Sequence, residues 1–177
     1  MPDYRGNRVT GGTYFFTANL LDRNSGLLVT HVNLLRDAVR EVRARAPFHI
    51  DAWVVLPDHM HCIWTLPPHG DDFSGRWREL KKSFSKALPP TERRSPVRRQ
   101  RGERGIWQRR FWEHTIRDDR DYASHMDYVH FNPVQHGLVD HAADWPYSSF
   151  HRCVAAGLYP ADRSVRDSEQ GDWGERR

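Results

Sequence analysis

The chain has 177 residues, a length that suits one domain with an appended tail and is enough to bury a sizeable core. Mean hydropathy is −0.81 and 28% of residues are charged, yet 12% are aromatic, including 7 Trp, which excludes a wholly disordered chain. Net charge is +4 with a pI near 9.3; no apolar run approaches the ~18 residues of a membrane span and the N-terminus MPDYRGNRVT has no apolar signal core, so a cytoplasmic protein without a membrane partner is expected.

In chain order, Thr13 to Asn19 (TYFFTAN) reads as a strand rich in aromatic and β-branched residues, followed by a turn at Asp22 to Gly26. Leu34, Leu35, Ala38, Val39 and Val42 recur at helical spacing and predict a helix over Asn33 to Ala46. Phe48 to Leu56 and His59 to Leu66 read as two strands of a hairpin turned at Pro57-Asp58, with Asp58 shaping the turn. Trp77, Leu80, Phe84 and Leu88 predict a second helix over Gly75 to Leu88. Pro89 to Gly105 is Arg- and Pro-rich and is expected to be a mobile basic loop. Ile106 to Ile116 reads as strand-like. A helix capped by Asp118 or Asp119 runs through Tyr128, is interrupted at Pro133 and meets a further stop at Gly137.

The order β-α-β-β-α-β-α predicts an α+β fold of the ferredoxin-like (RRM-like) kind, an antiparallel sheet with helices packed on one face. The domain is expected over residues 1–150, with a C-terminal tail over 151–177, polar and disordered from Ala161 onward. Cys62 and Cys153 form no CxxC pair, so reduced thiols are expected rather than a zinc site.

Charge is uneven. Arg76 to Arg120 holds 15 Lys and Arg against 6 Asp and Glu, while the remainder holds 12 against 17. A basic stretch interleaved with Trp77, Phe84, Trp107, Phe111 and Trp112 suits a single-stranded nucleic acid, whose phosphates need cations and whose bases stack on rings. Arg98, Arg99, Arg101, Trp107, Arg109 and Arg110 are the candidate DNA contacts. For Trp107, Phe111 and Trp112, core packing is an equal competitor, and at least one of the three is expected in the core.

Two constellations carry chemistry. In a strand, His59 and His61 project from one face while Met60, Cys62, Trp64 and Leu66 take the other, so function and core divide between faces. On a helix, Tyr128 and Asn132 are four apart and share a face. Taken singly these have ordinary readings: histidines on a polar sheet face, a tyrosine at a helix edge, an asparagine capping a helix that begins at Pro133. Together, two imidazoles and an amide oxygen suit Mg²⁺ or Mn²⁺ with open positions for a phosphate oxygen, beside a tyrosine able to attack it. A phosphotyrosine conserves the energy of the broken bond, and the absence of a G-x-x-x-x-G-K-[ST] loop accords with a reaction without ATP. Glu113, His114 and His130 are weighed as residues that orient ligands or bind phosphate, against ordinary surface polarity. Tyr147 has no amide or histidine at helical spacing and reads as packing.

Pro57-Asp58-His59-Met60-His61 resembles the HUH motif (His, hydrophobic, His) of single-tyrosine transposases, and Tyr128-Val129-His130-Phe131-Asn132-Pro133-Val134 resembles their nucleophile segment. With Trp107 to Glu113 and Asp144 to Ser149 added, the chain from Tyr14 to Phe150 resembles the REP-associated tyrosine transposases of bacteria. That resemblance implies a ferredoxin-like catalytic domain, a divalent metal, and cleavage and joining of single-stranded hairpin DNA from repetitive extragenic palindromes. It implies Tyr128 as nucleophile, His59, His61 and Asn132 as metal ligands, a nucleoid-associated location in the cytoplasm, and a monomer, although related insertion-sequence enzymes are dimers. The rivals are an insertion-sequence transposase of the same superfamily and a non-catalytic hairpin DNA or RNA binder on the same fold.

Overall fold

The computed structural model describes residues 7–160; the disordered polar segment expected over 161–177 lies outside them. Four strands form one antiparallel sheet: β1 (Thr13–Asn19), β2 (His49–Val55), β3 (His59–Thr65) and β4 (Trp112–Thr115), in the order β2-β3-β1-β4. This is the order that a ferredoxin-like β-α-β-β-α-β chain produces. The helices are α1 (Leu27–Thr30), α2 (Val32–Arg45), α3 (Phe73–Ala87), α4 (Pro96–Gln100), α5 (Asp119–Gln135) and α6 (Phe150–Ala155). Among the described residues, no helix is long and apolar enough to cross a membrane.

Alternation along β1 and β3 sorts the side chains. Tyr14, Phe16, Met60, Cys62 and Trp64 face α2 and α3, where they pack with Leu35, Val39, Val42, Trp77, Leu80 and Phe84. The Trp64 and Trp77 rings stack at 4.4 Å. Phe15, Ala52, Val54 and Ile63 face the other way and form a second cluster with Met126, Val129, Phe131 and Phe150. The helices expected on one face therefore hold for α2 and α3 alone. The reason is visible in β1, whose Phe15 and Phe16 point to opposite faces and are both fully buried, so both faces need a cover. α5 supplies the second cover, packed across β2 and β3.

Three other elements depart from the sequence reading. α5 runs through Pro133 instead of stopping there. Proline removes only the bond to the Val129 carbonyl, and burial of Phe131, Asn132 and Pro133 against the sheet holds the last turns in register. The helix ends at Gly137, whose φ of 66° admits a Schellman stop: Leu138 N–H bonds the Pro133 carbonyl and Gly137 N–H the Val134 carbonyl, both at 2.9 Å. The segment after the basic loop is not one strand. Trp107 bridges to Leu20, and regular pairing resumes only at Trp112. The basic loop itself contains α4 and is tied down by Arg104, which donates to the carbonyls of Leu88 and Pro89 at 2.8 Å and to both Glu92 carboxylate oxygens.

The packed body also extends past residue 150. Cys153 and Tyr159 are buried in the second cluster. Ahead of them, Tyr147 to Ser149 lie along the free edge of β2: Val55 N–H bonds the Tyr147 carbonyl at 2.9 Å, and Ser149 N–H the Trp53 carbonyl at 2.8 Å. Tyr147 is thus a packing residue, as its surroundings in sequence suggest. Cys62 and Cys153 are both buried and free, on opposite sides of the sheet.

Candidate active site

On the sheet face covered by α5, β3 presents His59 and His61. The register pairs His61 with Thr17 of β1 and His59 with Asn19. Each imidazole is held through Nδ1: His59 Nδ1 lies 2.8 Å from Asp58 Oδ1, and His61 Nδ1 lies 2.8 Å from Thr17 Oγ1. A carboxylate only accepts, so His59 carries its proton on Nδ1 and presents the Nε2 lone pair. His61 does the same in the tautomer that donates to Thr17. Asp58 is itself fixed by Arg23 at 2.8 Å. Burial alone would raise the Asp58 carboxyl, but the His59 ring and Arg23 outweigh it and hold it below the usual range. Its role is to orient His59, beyond the turn that its place in the sequence suggests.

α5 brings its residues onto these rings. Asp118 caps the helix by accepting from Asp121 N–H at 2.8 Å, and Asp119 and Asp121 in the first turn favour the positive end of the helix dipole. The Tyr128 ring sits edge-on to His61 at 5.1 Å and to Phe15 at 5.8 Å. The His59 and His61 rings are 4.9 Å apart. Asn132 follows one turn after Tyr128 on α5 and is fully buried. The His59 Nε2 and Asn132 Oδ1 atoms are both shielded from solvent. Beyond Asn132, His136 caps the helix with its ring 5.1 Å from His59. The structure therefore brings Tyr128, His59 and His61 into one run of rings, with Asn132 on the same helix.

The two imidazole nitrogens and the amide oxygen are neutral donors suited to a hard or borderline divalent cation. A second group that could hold an ion is His114, Asp121 and His125. There, Asp121 Oδ2 already accepts from His114 Nε2 at 2.9 Å and from Arg117 Nε at 3.1 Å, and His125 Nδ1 lies 2.7 Å from the Asp121 carbonyl. The Arg117 guanidinium opposes a second cation on that carboxylate. Burial pushes the Asp121 carboxyl up, yet its bonds to His114 and Arg117 win and pull it down to about 2.

No protein-family model matches the chain. It is 53% identical over 162 residues to the REP-associated tyrosine transposase of Escherichia coli (strain K12), covering 92% of this chain and 90% of that protein. The chain belongs to the REP-associated tyrosine transposases. A Haemophilus influenzae protein of the same family name is 47% identical over 163 residues, covering 92% of this chain and 93% of its own. A solved structure of the REP-associated tyrosine transposase bound to a REP hairpin matches with a TM-score of 0.85 at 50% identity, over 100% of this chain and 99% of that one.

In this transposase the remaining sequence candidates separate. Trp107 is 8% exposed and packs beside Phe84 and under Lys81, so it belongs to the core and not to a base-stacking surface. Lys81, whose ammonium burial lowers to about 8, donates to the Gln108 carbonyl at 3.0 Å and fastens this segment. Arg109 pairs with Glu103 at 3.1 Å, and Arg99, Arg101 and Arg110 are exposed. Arg98 is half-buried against Gly105. His130 faces Ser149 Oγ at 2.8 Å, and burial lowers its imidazole to about 3, which keeps it neutral. His114 contacts Asp121 and His125, and Glu113 lies on the opposite sheet face, where burial raises its carboxyl. None of these three orients His59 or His61; Asp58 and Thr17 do. His136 and His125 were legible in principle, since both keep the three-to-four spacing of Tyr128 and Asn132. The part played by Thr17 depends on cross-strand register, which spacing within one segment does not reveal.

Proposed function

We propose that the chain is a divalent-metal-dependent endonuclease and strand-transfer enzyme for single-stranded hairpin DNA, acting as a monomer at the nucleoid through a covalent phosphotyrosine at Tyr128. The observation that carries this reading is the contiguous run of His59, His61 and Tyr128 rings, at 4.9 and 5.1 Å, with Asn132 one helical turn beyond. The relative bound to a REP hairpin supports the choice of DNA.

His59 Nε2, His61 Nε2 and Asn132 Oδ1 would hold Mg²⁺ or Mn²⁺. An ion held there would supply Lewis-acid polarisation of a phosphate oxygen and positive charge to offset that of a pentavalent transition state. Asp58 and Thr17 keep the imidazoles turned toward that position. Tyr128 Oη attacks phosphorus: the Oη–P bond forms, the bond from phosphorus to the leaving sugar oxygen breaks, the phenol gives up its proton and the leaving oxygen gains one. The tyrosine ester conserves the bond energy, so a free sugar hydroxyl reverses the step and joins strands without ATP. Tyr128 is 4% exposed, so DNA entry must open the site around it. The basic segment with Arg98, Arg99, Arg101, Arg109 and Arg110 would hold the phosphates.

The test is a denaturing gel of protein incubated with labelled single-stranded palindromes and Mg²⁺ or Mn²⁺. A slow, protease-sensitive labelled band that disappears with EDTA and in Tyr128→Phe is expected. Tight hairpin binding with no cleavage and no adduct would replace this reading with the non-catalytic binder.

A further inference from the structure

One large aromatic side chain stands outside both cores. Among the described residues, Trp112 is the aromatic member of the exposed large hydrophobics, with 47% of its surface accessible. An indole left in water forgoes the burial that its size would reward. Its neighbours explain which way it points. Phe111 is stacked on Trp77 at 5.5 Å, within the cluster under α3, and Glu113 pairs with Phe16 on that same side. Alternation therefore gives Trp112 to the opposite face, the one that carries the histidines.

The register fixes its place on that face. His61 pairs with Thr17, and Thr17 pairs with Trp112, so Val54, His61, Thr17 and Trp112 form one row across the four strands. Two strand spacings separate His61 from Trp112, about 10 Å. α5 crosses β4 at His114, which meets Asp121 and His125, and lies over β2 and β3, while Trp112, at the first position of this edge strand, stays exposed. The exposed Arg110 precedes it by two residues. A ring open to solvent and level with His61, with an exposed cation two residues away in sequence, matches a single strand whose phosphate reaches the histidines while a neighbouring base lies over the indole.

We propose that Trp112 is the stacking platform for an unpaired base of the DNA adjacent to the phosphate under attack. The proposal rests on the reading of the site given above, and it adds a binding position with a stated ligand, an unpaired nucleobase. Stacking is tolerant of sequence because every base has a π face, so Trp112 contributes affinity for unpaired DNA and not base identity.

The experiment compares a fluorescein-labelled DNA hairpin carrying a six-nucleotide single-stranded flank with the same hairpin made blunt, by anisotropy titration. Wild-type protein is expected to bind the flanked hairpin more tightly. Trp112→Ala is expected to lose about 5- to 150-fold on the flanked hairpin and nothing on the blunt one, and Trp112→Phe to retain most of the difference. Undiminished binding of the flanked hairpin by Trp112→Ala overturns the proposal, and so do equal losses on both hairpins or equal wild-type affinity for both. The covalent adduct is scored in parallel on wild-type protein. A flank-specific loss without any adduct keeps the platform and removes the catalytic reading. An adduct without that loss does the reverse.

Discussion

Asp121 allows a quantitative test of what holds the tyrosine helix in place. Its carboxylate is bound by His114 of β4 at 2.9 Å and by the Arg117 side chain at 3.1 Å and backbone at 3.0 Å, with its side chain only 8% exposed. These bonds lower the group from 3.8 to about 2. A carboxyl whose pKa is depressed on folding adds stability above its unfolded value and loses it as pH falls through the folded value. The difference corresponds to about 2 kcal/mol at pH 7, with roughly half remaining at pH 3. Asp121→Asn keeps the shape and one acceptor but removes the charge. Urea unfolding should therefore show a loss of about 2 kcal/mol at pH 7 and about half of that at pH 3. A loss of equal size at both pH values would refute the ionic account and point to packing. A fall in stability on adding EDTA that is seen in wild type and not in Asp121→Asn would show instead that the group works by holding a metal ion.

Asp58, the basic segment and Arg104 allow further tests. Asp58→Asn weakens the orientation of His59, so the Mn²⁺ concentration that half-saturates cleavage should rise about 10- to 100-fold, and an unchanged value would separate Asp58 from the metal site. Replacing Arg98, Arg99 and Arg101 by Ala should weaken single-strand binding and flatten the plot of log affinity against log salt by about 0.7 for each phosphate no longer neutralised; an unaltered slope would make α4 a bystander. Arg104→Lys cannot reproduce the fork that spans Glu92 and the Leu88 and Pro89 carbonyls, so thermal stability should fall by about 1–3 kcal/mol, read by calorimetry.

The parts legible in the sequence are those in which a local period decides the outcome. β1 spans Thr13–Asn19 as its aromatic and β-branched run predicts, and α2 and α3 fall within two residues of their apolar spacing. His59, His61, Tyr128 and Asn132 obey the two- and four-residue rules that also place them in space. The rest depends on partners distant in sequence. The second covered face follows from Phe15 and Phe16 both being buried, and a single strand does not announce what lies above it. The extended edge at Tyr147 to Ser149 has no period, because its bonds go to β2. Continuation of α5 past Pro133 is a tertiary outcome that overrides a local preference. Trp107 and Trp112 have similar surroundings in sequence, and only the register shows that one is core and the other exposed.

The polar face of α5 sets a tolerance on length. Asp121, His125, Tyr128, Asn132 and His136 recur three or four residues apart and span ~22 Å of helix axis. They form one rigid ruler laid over the sheet, so their mutual spacing is set by the helix and not by five separate loops. One residue inserted between His125 and Tyr128 would turn everything beyond it by about 100° and carry the tyrosine off the histidines while the anchor at Asp121 stayed in place. The stretch from Pro89 to Gly105, fastened mainly by Arg104, has no such ruler. This architecture can therefore absorb insertions in its basic loop while its tyrosine helix keeps a fixed length, which leaves the loop as a place where the chain can change without moving Tyr128 relative to the histidines.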